Sequence, residues 1–90
     1  MTKSELIKAI SKDTGLEYVA VSAVIESAMK NMKDSLIKDD PVYLRGFGTF
    51  LNKIRKPKTA RNIKAQTTII VPEHKVPFFK PAREFKDKVK

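Results

Sequence analysis

The chain has no cysteine and no tryptophan among its 90 residues. Without cysteine it can form neither a disulfide framework nor a thiolate metal site, which fits a reducing compartment such as the cytoplasm. It also has no apolar run near the roughly 18 residues that a membrane-spanning helix requires. We therefore expect a soluble, cytoplasmic protein with no membrane partner.

Residues that catalysis or cofactor binding would need are also scarce. The single histidine, His74, has no acid–nucleophile pair nearby, so neither metal ligation nor catalysis is indicated. Gly46 and Gly48 lack the later glycine of a dinucleotide fingerprint and the lysine of a phosphate-binding loop. Asp39 and Asp40 stand before a proline and indicate a turn rather than a catalytic carboxylate pair. We expect no enzymatic activity, no cofactor, no metal and no small-molecule substrate.

Acidic residues are absent between Pro41 and Pro72, although seven basic residues occupy that segment. These are Arg45, Lys53, Arg55, Lys56, Lys58, Arg61 and Lys64. Residues 1–40 hold six basic residues against seven acidic ones, whereas residues 41–90 hold thirteen against three, so the surplus behind the net charge of +9 lies in the second half. A basic segment without neighbouring carboxylates attracts a polyanion.

Aromatic residues are absent between Leu51 and Val76. RNA and single strands are held by exposed aromatic rings among basic residues, so this segment favours the backbone of a duplex. A second hypothesis is a basic module that docks an acidic protein or an anionic lipid surface. Such a module would need apolar residues opposite its charges, and the stretch 53–61 offers only Ile54 and Pro57.

Two amphipathic helices are predicted in the first half of the chain. Thr2 followed by Glu5 forms a capping box, which predicts a helix over about 3–14 that stops at a glycine. From Tyr18 onward, apolar residues recur at steps of three and four, which predicts a longer helix that ends near Lys38.

Beyond residue 41 the apolar spacing becomes typical of strands, most clearly in the β-branched run 67–71. The basic stretch 53–61 has no buried face and contains Pro57, which a strand tolerates only at a free edge. A projecting two-stranded ribbon meets that condition. If residues 53–62 are extended at about 3.4 Å each, this arm is about 34 Å long, which is comparable to one turn of duplex DNA.

A short strand over 76–79 and a terminal helix over 82–90 complete the prediction. Without the arm, about 70 residues must enclose five phenylalanines and the apolar face of the second helix, which is little chain for a stable core. The five are Phe47, Phe50, Phe78, Phe79 and Phe85. A second subunit would cover what one copy leaves exposed.

The motif Gly46-Phe47-Gly48-Thr49-Phe50, the basic stretch after it and then Ala60-Arg61-Asn62 resemble the HU and integration host factor family of bacterial histone-like DNA-binding proteins. The resemblance runs without a gap from residue 1 to residue 90. It implies an α+β fold with two N-terminal helices, a three-stranded antiparallel sheet with a long protruding β-ribbon arm, and a short C-terminal helix. It also implies an intertwined dimer, either a homodimer or a heterodimer.

The resemblance implies one histone-like domain over 1–90, with a helical dimerisation part (1–40), a sheet and DNA-binding arm (41–80) and a C-terminal helix (81–90). Its function would be architectural. Such a protein binds double-stranded DNA through the minor groove and backbone, largely without sequence specificity, and bends and compacts the bacterial nucleoid.

The resemblance also assigns DNA contacts to particular residues. Those expected along the minor groove are Arg55, Lys58, Arg61 and Asn62, with Lys56 and Lys64 in the same basic segment. The resemblance also implies that the sheets of the dimer form a saddle against the DNA. The residues expected to contact phosphates there are Lys3, Lys53, Lys80, Arg83 and Lys86.

Three positions depart from the family pattern. Ile63 stands where the family usually has a proline whose ring wedges between base pairs, and isoleucine can serve as an apolar wedge or simply stabilise the ribbon. Residues 64–67 contain no glycine, so the turn at the tip of the arm must be built differently. Ala82 replaces a glycine before the last helix.

Overall fold

A computed structural model of the protein describes residues 1–56, 58–62 and 67–89. The helices and strands, in chain order, are α1 (Lys3–Thr14), α2 (Tyr18–Ile37), β1 (Val42–Leu44), β2 (Gly48–Arg55), β3 (Lys58–Asn62), β4 (Thr67–Val71), β5 (His74–Pro81) and α3 (Arg83–Val89). The α+β fold expected from the sequence is thereby confirmed. The chain divides into two compact units, Met1–Ser35 and Leu36–Lys90.

Helix α1 has the boundaries that its capping residues predict. The Thr2 hydroxyl oxygen accepts a hydrogen bond from the Glu5 backbone N–H at 3.2 Å, which satisfies one of the free donors of the first turn. At the other end Gly15 takes a positive φ of 74° and donates its N–H to the Ser11 carbonyl at 2.9 Å. Glycine adopts this left-handed conformation without a steric penalty, so the helix ends there.

Three strands of the second unit form an antiparallel sheet in the order β1-β2-β5. In the longest ladder, β2 and β5 pair from Gly48 with Pro81 to Arg55 with His74. Strand β5 is longer than the predicted 76–79 because it lies at the edge of the sheet, where prolines with no N–H to donate are tolerated.

Strands β3 and β4 pair from Lys58 with Val71 to Asn62 with Thr67. This ladder keeps the register of β2 and β5, because counting three residues outward on each strand from Arg55 and His74 leads to Lys58 and Val71. The two ladders are therefore successive parts of one ribbon, as the sequence predicted. In the sequence, Pro57 stands between β2 and β3, and Pro72 stands between β4 and β5. Neither proline can donate an N–H to a ladder.

Four phenylalanines form an aromatic cluster on one side of the sheet. Phe79 lies 4.8 Å from Phe50 and 5.0 Å from Phe47 between ring centroids, and Phe47 stacks on Phe85 of α3 at 5.4 Å. Gly48 makes this packing feasible, since a Cβ at that position would lie 2.5 Å from a ring carbon of Phe79. Phe78, which we expected in the same core, points to the other side of the sheet.

The single chain buries little apolar side chain. Among the residues whose burial the structure describes, the fully buried hydrophobic side chains are Ile7 and Val21. Val19 and Val24 of α2 are 76% and 64% exposed, and Phe47 of the aromatic cluster is 46% exposed. Apolar surface of this extent marks an interface, because a monomer of this size gains too little from burial to offset chain entropy.

We predict an obligate dimer at micromolar concentration. Sedimentation should give about twice the chain mass of 10.2 kDa. The midpoint of thermal unfolding should rise with protein concentration, because association stabilises only the folded chains. A folded monomer whose unfolding does not depend on concentration would contradict the prediction.

Candidate nucleic-acid interface

The pairing of β2 with β5 sorts their side chains onto two faces. Successive residues of a strand point to opposite faces, and directly paired residues share a face. Lys53, Arg55 and Lys80 therefore lie on one face, which we call the basic face, and all three are exposed. Phe50 and Phe79 lie on the other, which we call the aromatic face. Three residues predicted to bind DNA are thus brought onto one surface.

Phe78 lies on the basic face, where it pairs with Leu51. The ammonium of Lys53 sits over its ring, 3.8 Å from the centroid. This cation–π contact limits the directions that the flexible lysine can take and leaves its charge at the surface. The sequence alone did not reveal this role, because the adjacent Phe79 belongs to the cluster on the opposite face.

The turn between β1 and β2 adds a basic residue that we did not assign to the site. Phe47 donates its N–H to the Leu44 carbonyl at 2.9 Å, and Gly46 takes a positive φ of 82° within this turn. Arg45 therefore stands at an exposed position of a tight turn. It lines a groove together with Lys80 and Arg83, so three cations surround a space that is also bordered by Tyr43 and Thr49.

The predicted arm residues lie in or beside the outer ladder. Lys58, Arg61 and Asn62 belong to β3, where their backbones pair with β4. Lys56 is exposed and immediately follows β2. Ile63 and Lys64 lie outside the described residues, so the wedge proposed for Ile63 remains a prediction.

Lys3 and Lys86, both predicted phosphate contacts, have other neighbours in this structure. Lys3 forms an ion pair with Glu26, whose carboxylate raises the pKa of the lysine, while Lys3 lowers the pKa of Glu26. Its charge is therefore already partly neutralised within the first unit. Lys86 borders an apolar groove formed by Phe79 and Phe85, on the side of the aromatic cluster.

Other kinds of site find little support in the described chain. The helices that the structure describes include none with both the length and the apolar character of a membrane span. Within the same residues, no three histidine, aspartate or glutamate side chains cluster as metal ligands do. His74 is exposed, and its Nδ1 lies 2.9 Å from the Pro72 carbonyl oxygen, as suits a surface residue where the arm returns to the sheet.

We predict an energetic coupling between Lys53 and Phe78. In a double-mutant cycle with Lys53→Gln and Phe78→Leu, the free energies of unfolding should deviate from additivity by about 0.5 to 1 kcal/mol, the usual worth of an exposed cation–π pair. Lys80→Gln provides the control, because Lys80 is on the same face but is paired with Thr49. Additive effects for Lys53 and Phe78 would show that the contact contributes nothing.

Comparison with known proteins agrees with this geometry. The family model for bacterial DNA-binding proteins matches residues 1–90. The beta subunit of integration host factor from Shewanella pealeana is 39% identical over 90 residues, covering 99% of this chain and 95% of the relative. The DNA-binding protein HU of Thermotoga maritima is 36% identical over 92 residues, covering 100% of both chains.

Solved structures point the same way. HU from Anabaena, in a cocrystal with DNA, matches with a TM-score of 0.93 at 30% identity, covering 99% of this chain and 97% of that one. HU from Thermotoga maritima matches with a TM-score of 0.71 at 26% identity, covering 100% of both chains. The resemblance seen in residues 46–62 is confirmed over the full length: the chain belongs to the family of bacterial DNA-binding proteins that includes HU and integration host factor.

Proposed function

We propose that the protein is an architectural DNA-binding protein that works as a dimer and holds double-stranded DNA by its backbone and minor groove. The observation that carries this proposal is the ribbon formed by two ladders in one register. Its single register extends outward from a sheet whose exposed face presents Lys53, Arg55 and Lys80. Lys58 and Arg61 follow on the same strand path in β3, and the sequence places no acid between residues 41 and 72.

Such a ribbon presents a row of positively charged side chains along its length. It does not place a small set of hydrogen-bond donors against base edges in a groove of the DNA. Phosphates carry most of the affinity in contacts of this kind, and they carry no sequence information. Binding would therefore be largely independent of sequence. The cocrystal of the Anabaena relative with DNA supports a DNA ligand for the same fold. It disfavours the alternative of a module for acidic proteins or anionic lipid surfaces.

We assign the groove of Arg45, Lys80 and Arg83 to phosphate binding, together with Lys53 of the basic face. The arm would place its own contacts along the minor groove. These are Arg55, Lys56, Lys58, Arg61, Asn62 and Lys64, with Ile63 as the apolar wedge at a base step. Lys3 and Lys86 would add phosphate contacts, and Lys3 must exchange its bond to Glu26 for one to DNA.

We further propose that residues 1–40 serve dimerisation, that residues 41–80 form the sheet and arm, and that residues 81–90 form the terminal helix of one histone-like domain. The second subunit would be another copy of this chain or a related one, since the relative in Shewanella pealeana is named as a subunit. The protein would act on the bacterial nucleoid in the cytoplasm, and no catalytic role is proposed.

We predict that affinity for duplex DNA depends steeply on salt. If about six to ten phosphates are neutralised, the logarithm of the affinity should fall with the logarithm of the salt concentration at a slope of roughly −5 to −9. Titration of a labelled duplex at several salt concentrations measures the slope. Lys53→Gln should make it shallower by about one, whereas the control Lys8→Gln in α1 should leave it unchanged. An affinity that hardly varies with salt would contradict the proposed function.

We predict that Arg61 contributes mainly to the affinity for DNA and that Ile63 contributes mainly to the bend angle. Arg61→Ala should weaken binding and flatten the salt slope by about one contact, because its charge suits the narrow minor groove. Ile63→Ala should reduce the bend angle with little change in slope, since unstacking energy and phosphate contacts are separate contributions. Ile63→Pro should increase bending because the proline ring is a stiffer wedge.

The bend is measured by fluorescence transfer between the ends of a duplex of about 30 base pairs, with each variant at saturation. Equal bending by the parent protein and Ile63→Ala would mean that this isoleucine only stabilises the ribbon. Bending would then come from the charges of the basic face.

A further inference from the structure

Asp39 adopts the left-handed backbone conformation, which aspartate tolerates better than most residues but less readily than glycine. Its φ is 60°, and it is the one non-glycine residue with a positive φ in the described parts of the chain. It follows the end of α2 and donates its N–H to the Leu36 carbonyl at 2.9 Å, as a residue that closes a helix does. Glycine would take this conformation more readily. A carboxylate at this position therefore indicates a role for the side chain in contacts with other residues.

The Asp39 side chain joins the turn after α2 to both inner strands of the ribbon. One carboxylate oxygen accepts a hydrogen bond from the Asn52 amide at 3.1 Å, and the other lies 2.7 Å from the Lys75 ammonium. The Asn52 amide nitrogen also donates to the Leu36 carbonyl at 2.7 Å, so both of its hydrogens have acceptors. We call these three side chains, of Asp39, Asn52 and Lys75, the brace.

The brace lies where the arm begins. Asn52 pairs with Pro77, Ile54 pairs with Lys75, and the next pair outward is the last of the inner ladder. Beyond Arg55 and His74 the inner ladder stops, and the outer ladder begins at Lys58 and Val71. The side-chain bonds of the brace therefore link the turn after α2 to both strands close to this break.

The faces of the ribbon show that the brace does not compete with DNA for a cation. Asn52 and Lys75 lie on the aromatic face, opposite the face of Lys53 and Arg55. Pairing Lys75 with Asp39 therefore removes no charge from the basic face. Lys75 first and Asn52 second lower the pKa of the Asp39 carboxyl, so it is ionised at neutral pH and can hold both donors.

We propose that Asp39 is a positioning residue for the arm: through Asn52 and Lys75 it fixes the base of the ribbon before DNA arrives. This inference rests on the proposed function of DNA binding and bending. An arm whose base is already ordered loses less conformational entropy when it binds DNA, so it binds more tightly. Because its base is held to the sheet, it also keeps the DNA bent more effectively.

The test compares Asp39→Gly, Asp39→Asn and Lys75→Gln with the parent protein. Asp39→Gly removes the carboxylate and relieves the unfavourable backbone conformation, so the fold is retained. Glu73→Gln is the matched control, because it also removes one negative charge near the base of the arm, at an exposed residue outside the brace. Each variant is measured for duplex affinity, salt slope, bend angle and amide hydrogen exchange.

Both Asp39 variants should show faster exchange at residues 53–55 and 74–76 and a smaller bend angle. They should bind duplex about fivefold more weakly despite their added positive charge, because ordering the arm then costs free energy at binding. The salt slope should stay unchanged, since no phosphate contact is lost. Lys75→Gln should behave alike, and the double variant Asp39→Gly with Lys75→Gln should be no worse than either single one. Glu73→Gln should bind and bend at least as well as the parent.

Asp39 variants that bend DNA like the parent, exchange at the same rate and bind as tightly as Glu73→Gln would overturn the positioning role alone. A parent protein that neither binds nor bends duplex DNA would overturn the proposed function and this role with it. The two failures are therefore distinguishable in one set of measurements.

Discussion

The arm depends on one antiparallel register. The backbone pairs run from Gly48 and Pro81 in the sheet to Asn62 and Thr67 in the outer ladder, with the same offset on both sides of the break between them. Because side chains alternate along a strand, this offset decides which residues share the basic face and which share the aromatic face. A slip of one residue would exchange the two faces. The close fit of Gly48 against Phe79 opposes such a slip.

The features that the sequence predicted well are local ones. The boundaries of α1 follow from Thr2 and Gly15, whose capping bonds involve residues within four positions. The spacing of apolar residues predicted α2 to within a residue of Ile37, its last helical position. The predictions of the ribbon and of the family were also correct, because the GFGTF motif and a basic segment without acidic residues can be seen without knowledge of the fold.

The features that the sequence did not reveal depend on strand pairing. Phe78 was expected in the core with Phe79, but neighbours in a strand point to opposite faces, and only the pairing with Leu51 shows which face holds Phe78. The sequence shows Arg45 as one of the basic residues but does not assign it to a binding site, because its groove forms only when β5 and α3 approach the turn. Asp39 looked like an ordinary turn residue because its partners are distant in the sequence.

The order of the three-stranded sheet leaves two strands with an unpaired side within this chain. Strand β1 has only three residues. Strand β5 contains Pro77 and Pro81, follows Pro72, and carries Lys75 and Lys80. Unpaired strand edges recruit strands from other molecules, and short length, prolines and lysines are the features that prevent it. The prolines at the base of the arm thus also protect the protein from sheet-to-sheet aggregation at the high local concentrations that coating DNA would produce.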